Sequence, residues 1–236
     1  MHFGYTNKLK IARVGSVFAT LLVLAACGGG GSGGSANDTP ALGAPKPNPV
    51  TTAPTLSCSV AGLAASTASA AKTTVCLLTS KGEIVLALEP EKAPVTVANF
   101  LKYVNSRFYD NTIFHRVVPG FVVQGGGLTT GYVTKPGALL PIVLESQNGL
   151  PNVRGTIAMA RTGVPDSATN QFFFNTVDNK FLDYNVTVAG KNGYAVFGSV
   201  ISGLATVDAI NTEPQLYAGA DSPATEVLLY WAVQLK

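Results

Sequence analysis

From Thr73 to the C-terminus, apolar and polar positions fall into short runs that end at Gly, Pro or Asn. The runs TTVCLLTS (73–80) and EIVLALEP (83–90) read as two strands, and Lys81-Gly82 between them reads as a hairpin turn. The period then changes. Val97, Phe100, Leu101 and Val104 recur at i, i+3, i+4 and i+7 just after Pro94, which predicts an amphipathic helix. Strand patterns return at IFHRVV (113–118), FVVQG (121–125), TIAMA (156–160), QFFFNT (171–176) and YAVFGSVI (194–201). A second, shorter helix is predicted over GLATVDAINT (203–212), with Leu204, Val207 and Ile210 on one side. In the last run, EVLLYWAVQL (226–235), Val227, Leu229, Trp231, Val233 and Leu235 alternate with a second set of side chains, as on a sheet with one face on a core. Many short strands with two helices predict a mainly β domain over 72–236.

Residues 1–71 carry no such pattern. Lys8, Lys10 and Arg13 precede an uncharged apolar run, VGSVFATLLVLAA (14–26). It is too short for a membrane-spanning helix, which needs roughly 20 residues, and it suits the centre of a secretory signal. The run ends at Leu24 to Cys27 with Gly28 next, which resembles the lipobox of bacterial lipoproteins. That resemblance implies a lipoprotein signal peptide over 1–26 and acylation of Cys27. With no Asp at position 28 it also implies the outer membrane. Two or more acyl chains anchor a protein firmly where one does not. The alternative is an ordinary signal cleaved after Ala26. Residues 27–71 read as a tether and N-terminal extension: a Gly/Ser coil, then a stretch stiffened by Pro40, Pro45, Pro47, Pro49 and Pro54. The alanine-rich stretch 60–71 is compatible with a short helix or a disordered extension.

Composition narrows the function. The 236-residue chain is 47% hydrophobic and 12% charged, with 25 Gly and 14 Pro, as a turn-rich β fold plus low-complexity sequence requires. Its formal charge of +3 arises from the first thirteen residues; beyond them 13 basic residues face 13 acidic ones. A neutral domain has no electrostatic footprint for nucleic acid. If Cys27 is acylated, Cys58 and Cys76 remain, either bonded in an oxidising compartment or as two thiols with Cys76 buried in a strand. His115 is the one histidine beyond the signal, so no metal centre and no cofactor are expected.

The most informative stretch is FHRVVPGFVVQGGG (114–127), which sets Arg116 between apolar clusters and follows it with Gln124 and three glycines. A single fixed cation beside an oily surface suits a neutral, apolar substrate that needs one strong hydrogen bond. The stretch resembles the signature of the cyclophilins, peptidyl-prolyl cis/trans isomerases, over about Thr73 to Lys236. The run MART (159–162), followed by DSAT (166–169) and QFFF (171–174), resembles the bacterial periplasmic branch in particular. The resemblance implies a closed eight-stranded antiparallel barrel capped by two helices. It makes Arg116 the catalytic donor and Phe121, Val122, Phe173, Phe181 and Leu182 the lining of a proline pocket. Tyr194 stands where other members often carry histidine. Gln124 is expected to brace Arg116 or touch substrate backbone, Gln171 to be a further polar pocket residue, and Ala160 and Arg161 to offer a strand edge to the peptide. Phe181 replaces a tryptophan whose indole N–H bonds to cyclosporin, so weak cyclosporin binding is expected, and Val122 replaces a commoner methionine.

The expected activity is therefore isomerisation of Xaa-Pro bonds in exported, proline-containing polypeptides, by a monomer lipid-anchored on the periplasmic side of the cell envelope. Two other readings use the same residues. One is a non-catalytic module that holds proline-containing segments or acts as a chaperone. The other is a lipocalin-like carrier with an apolar ligand inside the barrel, which leaves Arg116 and Gln124 without a purpose.

Overall fold

A computed structural model describes residues 43–50, 54–185, 187 and 192–236. The expected signal peptide, Cys27 and the Gly/Ser part of the tether lie outside the described residues. No described helix is long and apolar enough to cross a membrane.

Among the described residues eleven strands form one antiparallel sheet. They are β1 (Thr73–Thr79), β2 (Gly82–Leu88), β3 (Thr112–Phe114), β4 (Arg116–Val118), β5 (Val122–Gly125), β6 (Leu128–Thr129), β7 (Val133–Thr134), β8 (Thr156–Met159), β9 (Phe172–Asn175), β10 (Val196–Ser202) and β11 (Val227–Gln234). Their order is β4-β5-β9-β8-β10-β2-β1-β11-β3-β6-β7. The sheet is open, and this corrects the expectation of a closed eight-stranded barrel with two helices. Two physical causes are visible. The run 113–118 breaks at His115, so one expected strand becomes β3 and β4, which lie near opposite ends of the sheet. The free edge of β4 is then met by a loop: the Val117 N–H donates to the Asp221 carbonyl at 2.6 Å. The two-residue strands β6 and β7 add to the count.

Among the described residues three helices accompany the sheet: α1 (Val60–Ala68), α2 (Pro94–Asn105) and α3 (Leu204–Asn211). Helix α2 begins with Pro94 at its first turn, and its preceding residue, Ala93, offers no side-chain cap. The Glu145 carboxylate serves instead. It accepts from the N–H groups of Val95 (3.1 Å) and Thr96 (2.7 Å) and from the Thr96 hydroxyl (2.7 Å). A carboxylate there satisfies orphan donors and opposes the helix dipole.

The inner side of the sheet is packed with aromatic rings. Phe100 of α2 lies 5.1 Å from Phe197 and 5.6 Å from Phe172. Phe114 and Phe174 join the same cluster, fully buried. A filled interior leaves the carrier reading without its ligand chamber. Each such ring contributes roughly 1.5–3 kcal/mol through burial.

The second, smaller core has a different origin. Along β1, Val75 and Leu77 join the inner cluster, whereas Cys76 joins Val85, Leu228, Tyr230 and Trp231. The N-terminal extension is tied to this second set. Cys58 is disulfide-bonded to Cys76, with Cα atoms 6.2 Å apart. Helix α1 follows at once, capped by Ser59, whose Oγ accepts from the Gly62 N–H at 3.0 Å. The Glu83 carboxylate of β2 accepts from the Ser59 N–H and hydroxyl, both at 2.7 Å. The stretch 60–71 thus takes the helical of its two options, and the two cysteines are paired. Part of the expected tether also lies on the domain. Lys46 pairs with Thr225, and the Tyr230 hydroxyl donates to the Val50 carbonyl at 3.0 Å.

The last strand corrects a periodicity argument. Val227 and Leu229 belong to the inner cluster, but Trp231, Val233 and Leu235 belong to the second. Leu78 pairs with Trp231 and Thr79 with Leu229, so Tyr230 is an extra residue in β11. Such a bulge shifts the alternation by one and turns the rest of the strand over.

Candidate active site

Strand register assembles the site. Arg116 on β4 is paired with Gln124 on β5, Gln124 with Phe173 on β9, Phe173 with Ala158 on β8, and Ala158 with Val196 on β10. Directly opposed residues share a face, so this row crosses five strands on one side of the sheet. Val122 sits two residues before Gln124 and falls on the same face. Val122, Ala158, Phe173 and Val196 form a third apolar cluster, distinct from the inner core, with Phe121, Leu150, Ala160, Leu182 and Tyr194 packed against it.

A hollow of about 250 Å³ opens there, lined by Arg116, Phe121, Val122, Gln124, Ala160, Arg161, Phe173, Leu182 and Tyr194. The structure therefore brings together nine of the eleven expected catalytic and substrate-binding residues. Gln171 lines an adjoining hollow that shares Gln124, Ala160 and Arg161 with the first. Phe181 stands apart from both linings. It is 61% exposed and stacks on Phe121 at 5.5 Å, nearly parallel. Tyr194 meets Phe173 edge-on at 5.6 Å.

The polar groups differ from expectation in three ways. Gln124 does not brace Arg116; its amide Nε2 donates to Gln171 Oε1 at 2.9 Å. Arg116 is held by Asp221, whose Oδ2 accepts from Nε at 2.9 Å, while the guanidinium carbon lies 5.8 Å from the Phe121 ring centre. Arg161 lies just past the end of β8, which is an interior strand and offers no free edge, and it contributes its side chain instead. The guanidinium lies over Tyr194 at 4.5 Å and donates to the carbonyls of Gly193 and Thr162, both at 2.9 Å. His115, beside Arg116, has its pKa lowered, first by burial and in part by the Arg116 charge.

Sequence reasoning missed the supports. Asn152, Asn175 and Asn179 are buried and linked: Asn175 Nδ2 donates to Asn152 Oδ1 (3.2 Å), and Asn179 Nδ2 donates to Asn175 Oδ1 (2.9 Å). Asn179 Nδ2 also donates to the Phe121 carbonyl at 3.0 Å, and Asp183 accepts from the N–H and the amide of Asn152. This chain of amides fixes the short 3-10 turn Lys180–Leu182 that carries Phe181 and Leu182. The triple glycine has a steric reason. Gly126 has φ +89°, and a Cβ there would lie 2.9 Å from both Phe172 and Tyr109. A Cβ on Gly127 would collide with the Gln171 side chain at 2.6 Å.

The profile of the family described as cyclophilin type peptidyl-prolyl cis-trans isomerase matches residues 74–230. The chain belongs to the cyclophilins. This cyclophilin is 52% identical over 147 residues to peptidyl-prolyl cis-trans isomerase A of Dickeya dadantii, an alignment covering 61% of the chain and 74% of the relative. It is 51% identical over 132 residues to peptidyl-prolyl cis-trans isomerase B of Escherichia coli, covering 56% and 80%. Among solved structures it resembles a Cryptosporidium parvum cyclophilin determined in the presence of the dipeptide Ala-Pro. There the TM-score is 0.58 and the identity 27%, over 68% of this cyclophilin and 97% of that chain.

Proposed function

We propose that this cyclophilin catalyses rotation about Xaa-Pro bonds of exported polypeptides, tethered to the cell envelope through Cys27. The observation that carries the catalytic part is Arg116 at the rim of an apolar hollow of about 250 Å³. Rotation disrupts amide resonance against a barrier of ~18–20 kcal/mol. No bond is made or cleaved, so the enzyme has only to bind the twisted amide better than either planar form. In the twisted state the proline nitrogen becomes pyramidal and gains a lone pair. Phe121, Val122, Phe173, Leu182 and Tyr194 clasp the ring, and the permanently charged guanidinium donates to the group that has lost resonance. A charge-assisted bond of ~1.5–3 kcal/mol corresponds to roughly a ten- to hundredfold acceleration. Exclusion of water from the hollow supplies the rest.

The test is exchange of a short Xaa-Pro peptide, followed by NMR or protease coupling. Arg116→Ala is expected to stay folded and to lose roughly ten- to hundredfold in kcat/KM. Unchanged turnover in a folded variant overturns the mechanism. Wild-type protein that binds the peptide without speeding its exchange turns the reading to a holding module.

The anchoring part rests on Leu24 to Cys27 and on the resemblance of MART (159–162), DSAT (166–169) and QFFF (171–174) to the bacterial periplasmic branch. A bonded Cys58–Cys76 pair suits an oxidising compartment. Metabolic labelling with a fatty acid is expected to mark the wild type and not Cys27→Ala. An unlabelled wild type removes the lipid anchor, and with it the outer-membrane location.

A further inference from the structure

Asp221 touches two consecutive residues of β4. Its carbonyl accepts from the Val117 N–H at 2.6 Å, and its carboxylate accepts from Arg116 Nε at 2.9 Å. The first bond covers the free edge of the strand that carries the arginine. The second takes the one guanidinium donor that points back along the side chain. The terminal nitrogens of Arg116 have no hydrogen-bond partner among the described residues, so their N–H groups remain for a ligand.

The carboxylate is stationed by backbone on both sides. Within its loop, Ala224 N donates to the Pro214 carbonyl (2.6 Å) and Leu216 N to the Ser222 carbonyl (2.9 Å). From outside, the segment 43–50 clasps the same loop. Lys46 N donates to the Ala224 carbonyl, Glu226 N donates to the Lys46 carbonyl, and Asn48 Nδ2 donates to the Glu226 carbonyl. The buried Glu226 carboxylate accepts from the Gly131 N–H at 2.7 Å and ties the loop to the β6–β7 turn. Asp221 is thus held in place before it meets the arginine.

We infer that Asp221 is the positioning residue of the site, fixing the plane of the Arg116 guanidinium so that its terminal N–H groups face the proline hollow. The inference rests on the isomerase reading above. Arginine is long and loses much rotamer freedom when it is fixed. A partner that takes Nε removes that freedom in advance, and the donor meets the twisted amide already oriented. The pair is partly exposed, with side chains 35% and 54% accessible, so its weight falls on orientation and little on folding.

The experiment compares Asp221→Ala and Asp221→Asn with the wild type in the full chain. Three quantities are read: kcat and KM on an Xaa-Pro peptide, the thermal midpoint, and the Arg116 Nε–H signal in 15N NMR. That signal is assigned by its loss in Arg116→Lys. Asp221→Ala is expected to lower kcat about tenfold with KM within about twofold, the pattern of an interaction made in the transition state. The Nε–H signal is expected to broaden or vanish while the midpoint holds. Asp221→Asn keeps an acceptor oxygen and is expected to recover part of kcat and part of the signal. An unchanged or faster kcat in Asp221→Ala overturns the inference, because the carboxylate would then only dampen the arginine. So does a slower kcat with the signal intact, or losses that track a falling midpoint. A wild type without isomerase activity sinks the proposed function instead, and the NMR arm then decides alone whether Asp221 holds Arg116.

Discussion

Removal of the Cys58–Cys76 bond is expected to lower stability and spare catalysis. The bond spans 18 residues of sequence, and a loop of that length corresponds to about 3 kcal/mol in the chain-entropy account. For a domain of this size each kcal/mol moves the midpoint by roughly 2–4 °C, which gives a fall of roughly 6–12 °C. The double variant Cys58→Ala/Cys76→Ala is the cleaner perturbation, since both sulfurs are buried and a reductant reaches them only after opening. Activity is expected to hold because Cys58 and Cys76 pack with Leu228, Tyr230 and Trp231, whereas the hollow rests on Val122, Ala158, Phe173 and Val196. The measurements are calorimetric unfolding and peptide exchange well below the midpoint. An unchanged midpoint would refute the reasoning, because α1 would then come loose on its own and the bond would restrain nothing that unfolds with the sheet. Loss of activity at full folding would refute the separation of the two clusters.

Two further outcomes are expected. His115 has its pKa lowered chiefly by burial, so below about 6.5 the unfolded chain takes up a proton that the folded chain resists. The unfolded state then binds more protons, and stability declines as pH falls from about 6.5 through the lowered folded value. His115→Gln is expected to flatten that decline in denaturation curves; an equally steep decline in the variant excludes the imidazole as its source. Phe181→Trp places an indole N–H on an exposed ring stacked against Phe121. One added hydrogen bond of ~1 kcal/mol is expected to tighten cyclosporin about fivefold by calorimetry, with exchange rates unchanged. Equal affinity of variant and wild type rejects the role given to that position.

What could be read in advance follows the range of the interactions. The β1–β2 hairpin, α2 and α3 were legible because their cause is local: an apolar period, a turn glycine, a proline at the first helical turn. The residues of the hollow were named by the cyclophilin resemblance of runs such as 114–127 and 171–176, and cross-strand register is the physical reason these two runs lie side by side. Asp221 was not, since it lies 105 residues from its partner in a loop with no period. Glu145 caps α2 from 49 residues away and was equally silent. The amides Asn152, Asn175 and Asn179 looked like ordinary loop polars, and only burial shows them to be a connected support. The alternation of 226–235 failed at Tyr230, where one inserted residue overrides the period. The open sheet was hidden for a similar reason, because nothing in IFHRVV announces a break at His115.

The small core beneath the N-terminal extension sets where this protein can be cut. The family match begins at residue 74, and a truncation there looks harmless on sequence alone. It would strip away Cys58, α1 and Val50, and leave Leu228, Tyr230 and Trp231 facing water on a β surface. An oily sheet face of that kind invites neighbouring molecules to stick. The sheet would survive on a particle prone to precipitate and would lose the clasp of 43–50 on the Asp221 loop, so the described residues before β1 act as the domain's own solubilising cover.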